Sequence, residues 1–236
     1  MQSIITRALV LATFFATIVR LPAQTEVTTP ANKLFQQAVI EIERATQLER
    51  HGKKEAAIEA YELGGQVSEA SIAEAERSGV PEDERPPEVY FRCATSYLHA
   101  GRLLDAIKAE GNRKEEDLGK AVHYLELVEK IERERAQRAN TPINPEIWRV
   151  RNAAGYAYFL RGELAQARLQ YGAVLQLNPS YQPAEQAIAE INKLEQQDNE
   201  LFTPQGRTLQ KEKNRKVLRE MVAALRLVRD IVTFGR

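Results

Sequence analysis

Residues 151–179 read RNAAGYAYFLRGELAQARLQYGAVLQLNP. Apolar and small residues recur at helical spacing on both sides of Gly162, and Asn178-Pro179 closes the second run, so the stretch predicts two helices joined by a tight glycine turn. The pattern recurs elsewhere. Gly162, Ala167 and Tyr171 reproduce Gly52, Ala57 and Tyr61 at a constant offset of 110, and Tyr158, Gly162 and Ala167 reproduce Tyr97, Gly101 and Ala106 at an offset of 61. Each position suits a helix hairpin. An aromatic sits near the end of the first helix, a glycine makes the turn, an alanine lets the helices approach, and a second aromatic fills the space between neighbouring hairpins. A lone hairpin cannot bury its apolar face, so hairpins stack.

Outward from this stretch the chain reads as helices in pairs. Thr29-Pro30 predicts an N-cap and first helical residue, and Leu34, Ala38, Ile42, Ala45 and Leu48 share one face before Gly52. A second helix starts near Lys54, carries Ala57, Ile58, Tyr61, Val67 and Ile72, and stops at Gly79 and Pro81. The charged, proline-rich loop PEDERPP (81–87) follows, then predicted helices over 88–107 and 114–137 and the loop NTPINP (140–145). Helices over 146–161, 163–177 and 183–197 complete the body, and a last one is expected over about 208–233. No window shows strand alternation.

These residues resemble the tetratricopeptide repeat, whose pattern is W-x2-L-G-x2-Y, then A-x3-F, then P. Arg151-x2-Ala154-Gly155-x2-Tyr158, Ala167-x3-Tyr171 and Pro179 meet it with Tyr171 in place of Phe, while Arg151 and Ala154 depart from Trp and Leu. The first repeat, roughly 38–71, keeps Gly52, Ala57 and Tyr61 but has Ala45 and Leu48 where Gly-x2-Tyr belongs. The middle repeat keeps Ala94, Tyr97, Gly101 and Ala106, then places Glu110 where an aromatic is due. An alternative pairing uses Ala121-x3-Leu125 and treats 102–116 as an insertion that lengthens both helices; it is preferred, because Leu125 can fill a core and an unpaired Glu110 cannot. The resemblance covers about 31–200 and implies an all-α, right-handed stack of helix-turn-helix hairpins with a C-terminal capping helix. It further implies a concave groove, lined by the first helices, that holds a peptide or an extended partner segment. Groove positions would include Ile42 and Thr46, then Phe91 and Thr95, then Arg149, Asn152 and Tyr156; the alternative for each is an ordinary surface or inter-repeat contact. Co-chaperones of this family clamp a terminal carboxylate with Lys and Asn, a set that Ile42, Thr46, Phe91 and Thr95 do not reproduce.

Composition is consistent with a helical body. Of 236 residues, 43% are hydrophobic and 28% charged, with only 12 Gly and 10 Pro, which excludes wholesale disorder. A single Cys excludes a disulfide framework, a zinc site built on two or more cysteines and a CxxC pair. The zero net charge hides a segregation: residues 24–206 carry 22 bases against 30 acids, whereas 207–236 carry nine Lys/Arg against Glu212, Glu220 and Asp230. An acidic body with a basic tail argues against nucleic-acid binding.

The amino terminus has the order of an export signal. A short basic start containing Arg7 leads into the apolar run ALVLATFFATIV (8–19), then Arg20 and the small-residue site ending at Ala23. Twelve residues rise about 18 Å as a helix against about 30 Å of hydrocarbon, so cleavage near Ala23 is expected, and an uncleaved membrane anchor or a mitochondrial presequence is the alternative. The domain reading is a signal peptide over 1–23, a polar leader over 24–30, the repeat region over 31–200 and a basic amphipathic helix over 207–234, in an exported, periplasmic or secreted protein. That last helix carries Leu218, Met221, Val222, Leu225, Val228, Ile231 and Val232 among Lys and Arg. It reads as a cap on the stack, or as a helix for an anionic membrane surface or a partner.

The residues define no reaction. His51, His99 and His123 fall on separate elements, and Cys93 reads as a buried, inert thiol. Gly64-Gly65 inside a helix points to close packing or a kink. The run 129–134 reads as a solvated face with i,i+4 pairs. No catalytic residue, metal site or cofactor is therefore expected. The function expected is a non-catalytic adaptor for a protein or peptide; the alternative is a structural subunit of an envelope assembly that oligomerises through 54–78 and 114–137.

Overall fold

A computed structural model describes residues 29–200, with side chains through 196. Every regular element there is helical: α1 (Pro30–Arg50), α2 (Lys54–Arg77), a 3-10 turn (Glu82–Glu84), α3 (Pro87–Ala106), α4 (Arg113–Ala139), α5 (Ile147–Arg161), α6 (Leu164–Leu177) and α7 (Gln182–Glu200). The export signal over 1–23, the leader up to 28 and the expected helix over 207–234 lie outside the described residues. No described helix is long and apolar enough to cross a membrane.

Local chemistry sets the helix ends. Thr29 caps α1, its hydroxyl oxygen accepting from the Asn32 amide at 3.2 Å, and Pro30 supplies the first helical residue. Five helices end on one device, a residue in the left-handed region at Gly52, Gly79, Lys108, Asn140 and Gly162. The next amide then bonds back to a carbonyl five residues earlier: Lys53 to Leu48, Val80 to Ala75, Ala109 to Leu104, Thr141 to Ala136 and Glu163 to Tyr158, at 2.9–3.1 Å. The turns at Gly52 and Gly162 are near copies. Their φ values are +74° and +79°, and the residues that follow, Lys53 and Glu163, have φ of −83° in both cases.

The middle hairpin corrects two expectations. Gly101 is not a turn but lies inside α3, and Ala106 is not at a close approach but is the exposed last residue of that helix. The turn instead falls at Lys108, seven residues beyond Gly101, so α3 runs about two helical turns further on the same face. Gly101 is needed for another reason: a Cβ there would stand 2.7 Å from Cγ and Cδ2 of Leu118 on α4. Glu110 stays exposed in the connection while Ala121 and Leu125 enter the core, the arrangement the insertion pairing anticipates.

Each helix packs on the next in sequence, with narrower contacts between α1 and α3 and between α3 and α5. Tyr171 of α6 lies against Gly155 of α5, where a Cβ would be 3.1 Å from its ring, and both Ala167 and Tyr171 are buried. Tyr97 and Tyr158 are buried too, and Pro179 stops the chain from continuing α6. Gly64 and Gly65 serve close packing: a Cβ on the first would meet Ile42 of α1 at 2.8 Å, and on the second the Tyr97 ring of α3 at 2.6 Å. One hydrophobic cluster runs from α3 to α7, and a smaller one joins Ala45, Ala57, Ile58 and Tyr61 to Leu103 and Leu104.

The charged run on α4 does more than face solvent. Arg133 pairs with Glu129 at i,i+4, but Glu129 also accepts from Arg151 of α5 at 2.8 Å. Lys130 reaches Glu82 at 2.6 Å, and Arg135 donates to the carbonyls of Asp83 and Arg85 at 2.7 and 3.0 Å. Arg138 pairs with Asp83 as well. The face anchors the 81–87 loop.

Candidate partner-binding face

Two faces of the body carry the expected site residues. Phe91 and Thr95 lie one turn apart on α3; Arg149, Asn152 and Tyr156 form the corresponding stripe on α5. The two helices meet along a narrow contact. Four of these residues are largely covered: Phe91 is 8% exposed, Thr95 9%, Asn152 2% and Tyr156 3%. The Thr95 hydroxyl donates to the Arg92 carbonyl at 3.2 Å. Nδ2 of Asn152 is buried without an acceptor, a cost of about 1–3 kcal/mol for an unsatisfied donor. Arg149 pairs with Glu146 at 2.5 Å and lies over the Trp148 ring, 5.3 Å from its centroid.

On α1 the expected positions turn elsewhere. Ile42 packs at Gly64 of α2, and the Thr46 hydroxyl donates to the Ile42 carbonyl at 2.9 Å and lies 3.2 Å from the Tyr61 hydroxyl. Both contacts are made with α2, the other helix of the same hairpin.

A polar cluster at the α1–α2–α3 junction escapes sequence reasoning. Arg102 donates to Glu49 at 2.8 Å and to Nδ1 of His99 at 3.2 Å, and the Tyr61 hydroxyl donates to the same Glu49 oxygen at 3.2 Å. The His99 ring stacks on Tyr61, with centroids 4.7 Å apart and planes inclined by 9°. A guanidinium has only donors, so Nδ1 of His99 must accept and the imidazole is neutral. Burial, then the neighbouring Arg102 charge, press the His99 pKa down to about 3. Burial works in the opposite sense on Glu49, but Arg102 outweighs it and holds the carboxyl below its ordinary range. Burial pushes the Tyr61 phenol up to about 12. With Glu49 and Arg102 53 positions apart, no local spacing announces the pair.

A second buried carboxyl lies at the α2–α4 seam. Asp117 is raised to about 7, by burial first and then by the Glu62 carboxylate, with Arg113 and Lys120 opposing. Arg113 grips Glu62 through two guanidinium nitrogens. Further along, Glu69 accepts from Lys120 at 3.3 Å and from the Tyr124 hydroxyl at 3.2 Å.

Cys93 is fully buried, its thiol directed at the Gly65 carbonyl at 3.6 Å, and burial raises its pKa well above the ordinary thiol value. It is therefore a packing residue, not a thiolate nucleophile. Among the described residues no three His, Cys, Asp or Glu gather as a metal site would need. The chain matches no family model and no curated protein.

Proposed function

We propose that this protein is a non-catalytic interaction scaffold. In this reading the helices form a right-handed, tetratricopeptide-like stack, capped by the helix expected over 207–234, and the concave side of α1, α3 and α5 holds a peptide or an extended partner segment. Export across a membrane, with the signal removed near Ala23, belongs to the same reading.

The observation that carries it is the equivalence of two hairpins at an offset of 110. Gly52 and Gly162 adopt the same left-handed turn, Ala57 and Ala167 are both fully buried beside it, and Tyr61 and Tyr171 are both buried one turn later. Sequence identity at these positions thus coincides with identity of structural role, as expected of repeated units. The alternative, oligomerisation through the long second helices, has less support, because α2 and α4 spend their charges on each other through Arg113–Glu62 and Lys120–Glu69.

The test is capture from an envelope extract by the wild-type chain and by Thr95→Ala/Asn152→Ala. Losing an unpaired buried amide should leave the melting temperature within a few degrees, so a captured protein that disappears with the double variant supports the groove. Equal capture by both chains contradicts it. Light scattering separates the alternative, since a stable oligomer contradicts the monomeric adaptor.

A further inference from the structure

We infer that α6 carries a self-association face, through which two copies of this chain pair weakly in an antiparallel, two-fold arrangement. The inference goes beyond the adaptor reading and does not rest on it. α6 turns one side to α5 and α7: Ala167, Tyr171 and Val174 are buried, and Arg168, its only charged residue, is held by Glu195 of α7. The remaining arc holds Ala165, Leu169, Gly172, Ala173, Gln176 and Leu177, all exposed or half-exposed. Leu169 is 66% exposed and Leu177 44%, two of the five large apolar side chains that stand in the open among the described residues.

The hairpin fold does not require a neutral arc. In the equivalent hairpin, at the offset of 110, α2 places Glu55, Glu59 and Glu62 where α6 has Ala165, Leu169 and Gly172. Gly172 is likewise unexplained by its own chain. A Cβ there would meet nothing within 4 Å, so no close approach calls for glycine, which weakens a helix interior relative to alanine. Gly119 of α4 is open in the same way, but it lies among Glu116, Lys120 and His123 and so belongs to no apolar surface.

What fits the arc is its own copy. Leu169 is a knob and Gly172 a notch, about 60° apart around the helix at about 100° per residue. A two-fold axis between them, perpendicular to α6, runs the second helix antiparallel and sets each Leu169 over the partner's Gly172. Ala165 and the partner's Gln176 then stand opposite each other, being equally far from that axis. No charge meets its like, a juxtaposition that suppresses pairing, and the exposed Gln166 and Gln176 each carry a donor and an acceptor for an amide of the same kind. A charged partner or an anionic membrane finds nothing on this arc to recognise. The face is short: 14 residues rise about 21 Å, too little for the about 800 Å² per partner of a standard interface. The pair is therefore weak, with a Kd of about 0.01–1 mM.

Sedimentation of the full chain from about 1 µM to about 1 mM, a range that brackets this affinity, tests the pairing. The weight-average mass should climb from the monomer value towards twice that value. Leu169→Glu, which copies the charge of the equivalent place on α2, should weaken association at least tenfold, and Gly172→Lys should do the same by filling the notch. An equimolar mixture of the two variants should associate at least tenfold more tightly than either alone, because the introduced carboxylate and ammonium then face each other. Both positions lie at the surface, so melting temperatures should stay within a few degrees of the wild type. A wild type that stays monomeric throughout, a dimer that survives dilution to the lowest concentration, or one that Leu169→Glu leaves unchanged overturns the proposal. So does a mixture no tighter than its components. The adaptor reading fails separately: a pair that dissociates at micromolar concentration is compatible with it, and capture lost in Thr95→Ala/Asn152→Ala with unchanged sedimentation supports the groove and leaves the α6 face standing.

Discussion

At the residue scale, the glycines sort by what surrounds them. Gly52 and Gly162 have open space but positive φ, so Gly162→Ala should cost about 1–2 kcal/mol through backbone strain alone. Lys108 occupies the equivalent place in the middle hairpin with φ of +56° and bears that strain already. Lys108→Gly is therefore expected to stabilise the protein by up to about 1 kcal/mol, the reverse of the usual effect of glycine. Gly119, in α4 with open space, should gain about 0.5–1 kcal/mol as alanine. Gly65, against the Tyr97 ring, should lose about 1–3 kcal/mol from the same change, because Lys120 holds the Tyr97 hydroxyl at 3.0 Å and the ring cannot swing aside freely. Urea unfolding midpoints of the four variants check all four signs, and a destabilised Lys108→Gly would mean that the turn is not where the structure has it.

At the element scale, the aromatic inside the α5–α6 hairpin carries the packing. Tyr171→Ala is expected to cost about 3–5 kcal/mol, in line with large aromatic truncations in cores, and a measured loss below about 1 kcal/mol would mean that α5 and α6 do not meet through Gly155 and Tyr171. The two helices and the burial of Ala167 and Tyr171 were legible because they fall within one hairpin, where sequence spacing translates directly into spatial spacing; that Tyr171 would rest on Gly155 of its own hairpin, not between hairpins, was not. Helix ends were legible for a related reason: Thr29-Pro30, Gly52, Gly79 and Gly162 act on their own backbone. The middle turn was not, since Lys108 bears no mark of a left-handed residue, and Gly101 looks the same whether a turn or the Leu118 side chain requires it. Still less legible was the Glu49–Tyr61–His99–Arg102 cluster, assembled from three helices across 53 positions. For Phe91, Thr95, Asn152 and Tyr156 the repeat pattern supplied the helix and the face, but burial depends on what covers that face.

At the scale of the whole molecule, two buried groups on different seams oppose each other in the response to pH. Asp117 is raised from 3.8 to about 7, so between those values the folded chain holds a proton that the unfolded chain has released, and stability falls as pH rises. His99 is lowered from 6.5 to about 3, so over that interval the unfolded chain holds the extra proton and stability rises with pH. Each slope is bounded at about 1.4 kcal/mol per pH unit. Between about pH 4 and 6.5 the two offset each other, and these groups leave the wild type nearly flat. Removing one should reveal the other. Asp117→Asn keeps a neutral polar group beside Glu62, and its stability should climb across that window. His99→Gln keeps an acceptor for Arg102, and its stability should decline over the same range. Glu49, held low by Arg102, adds its own loss only as the pH drops below its ordinary value of 4.5, outside most of the window. Urea midpoints measured from pH 4 to 7 decide the matter: parallel slopes in the two variants would show that Asp117 and His99 do not titrate as buried groups at their separate seams, and the packing that encloses both would have to be redrawn.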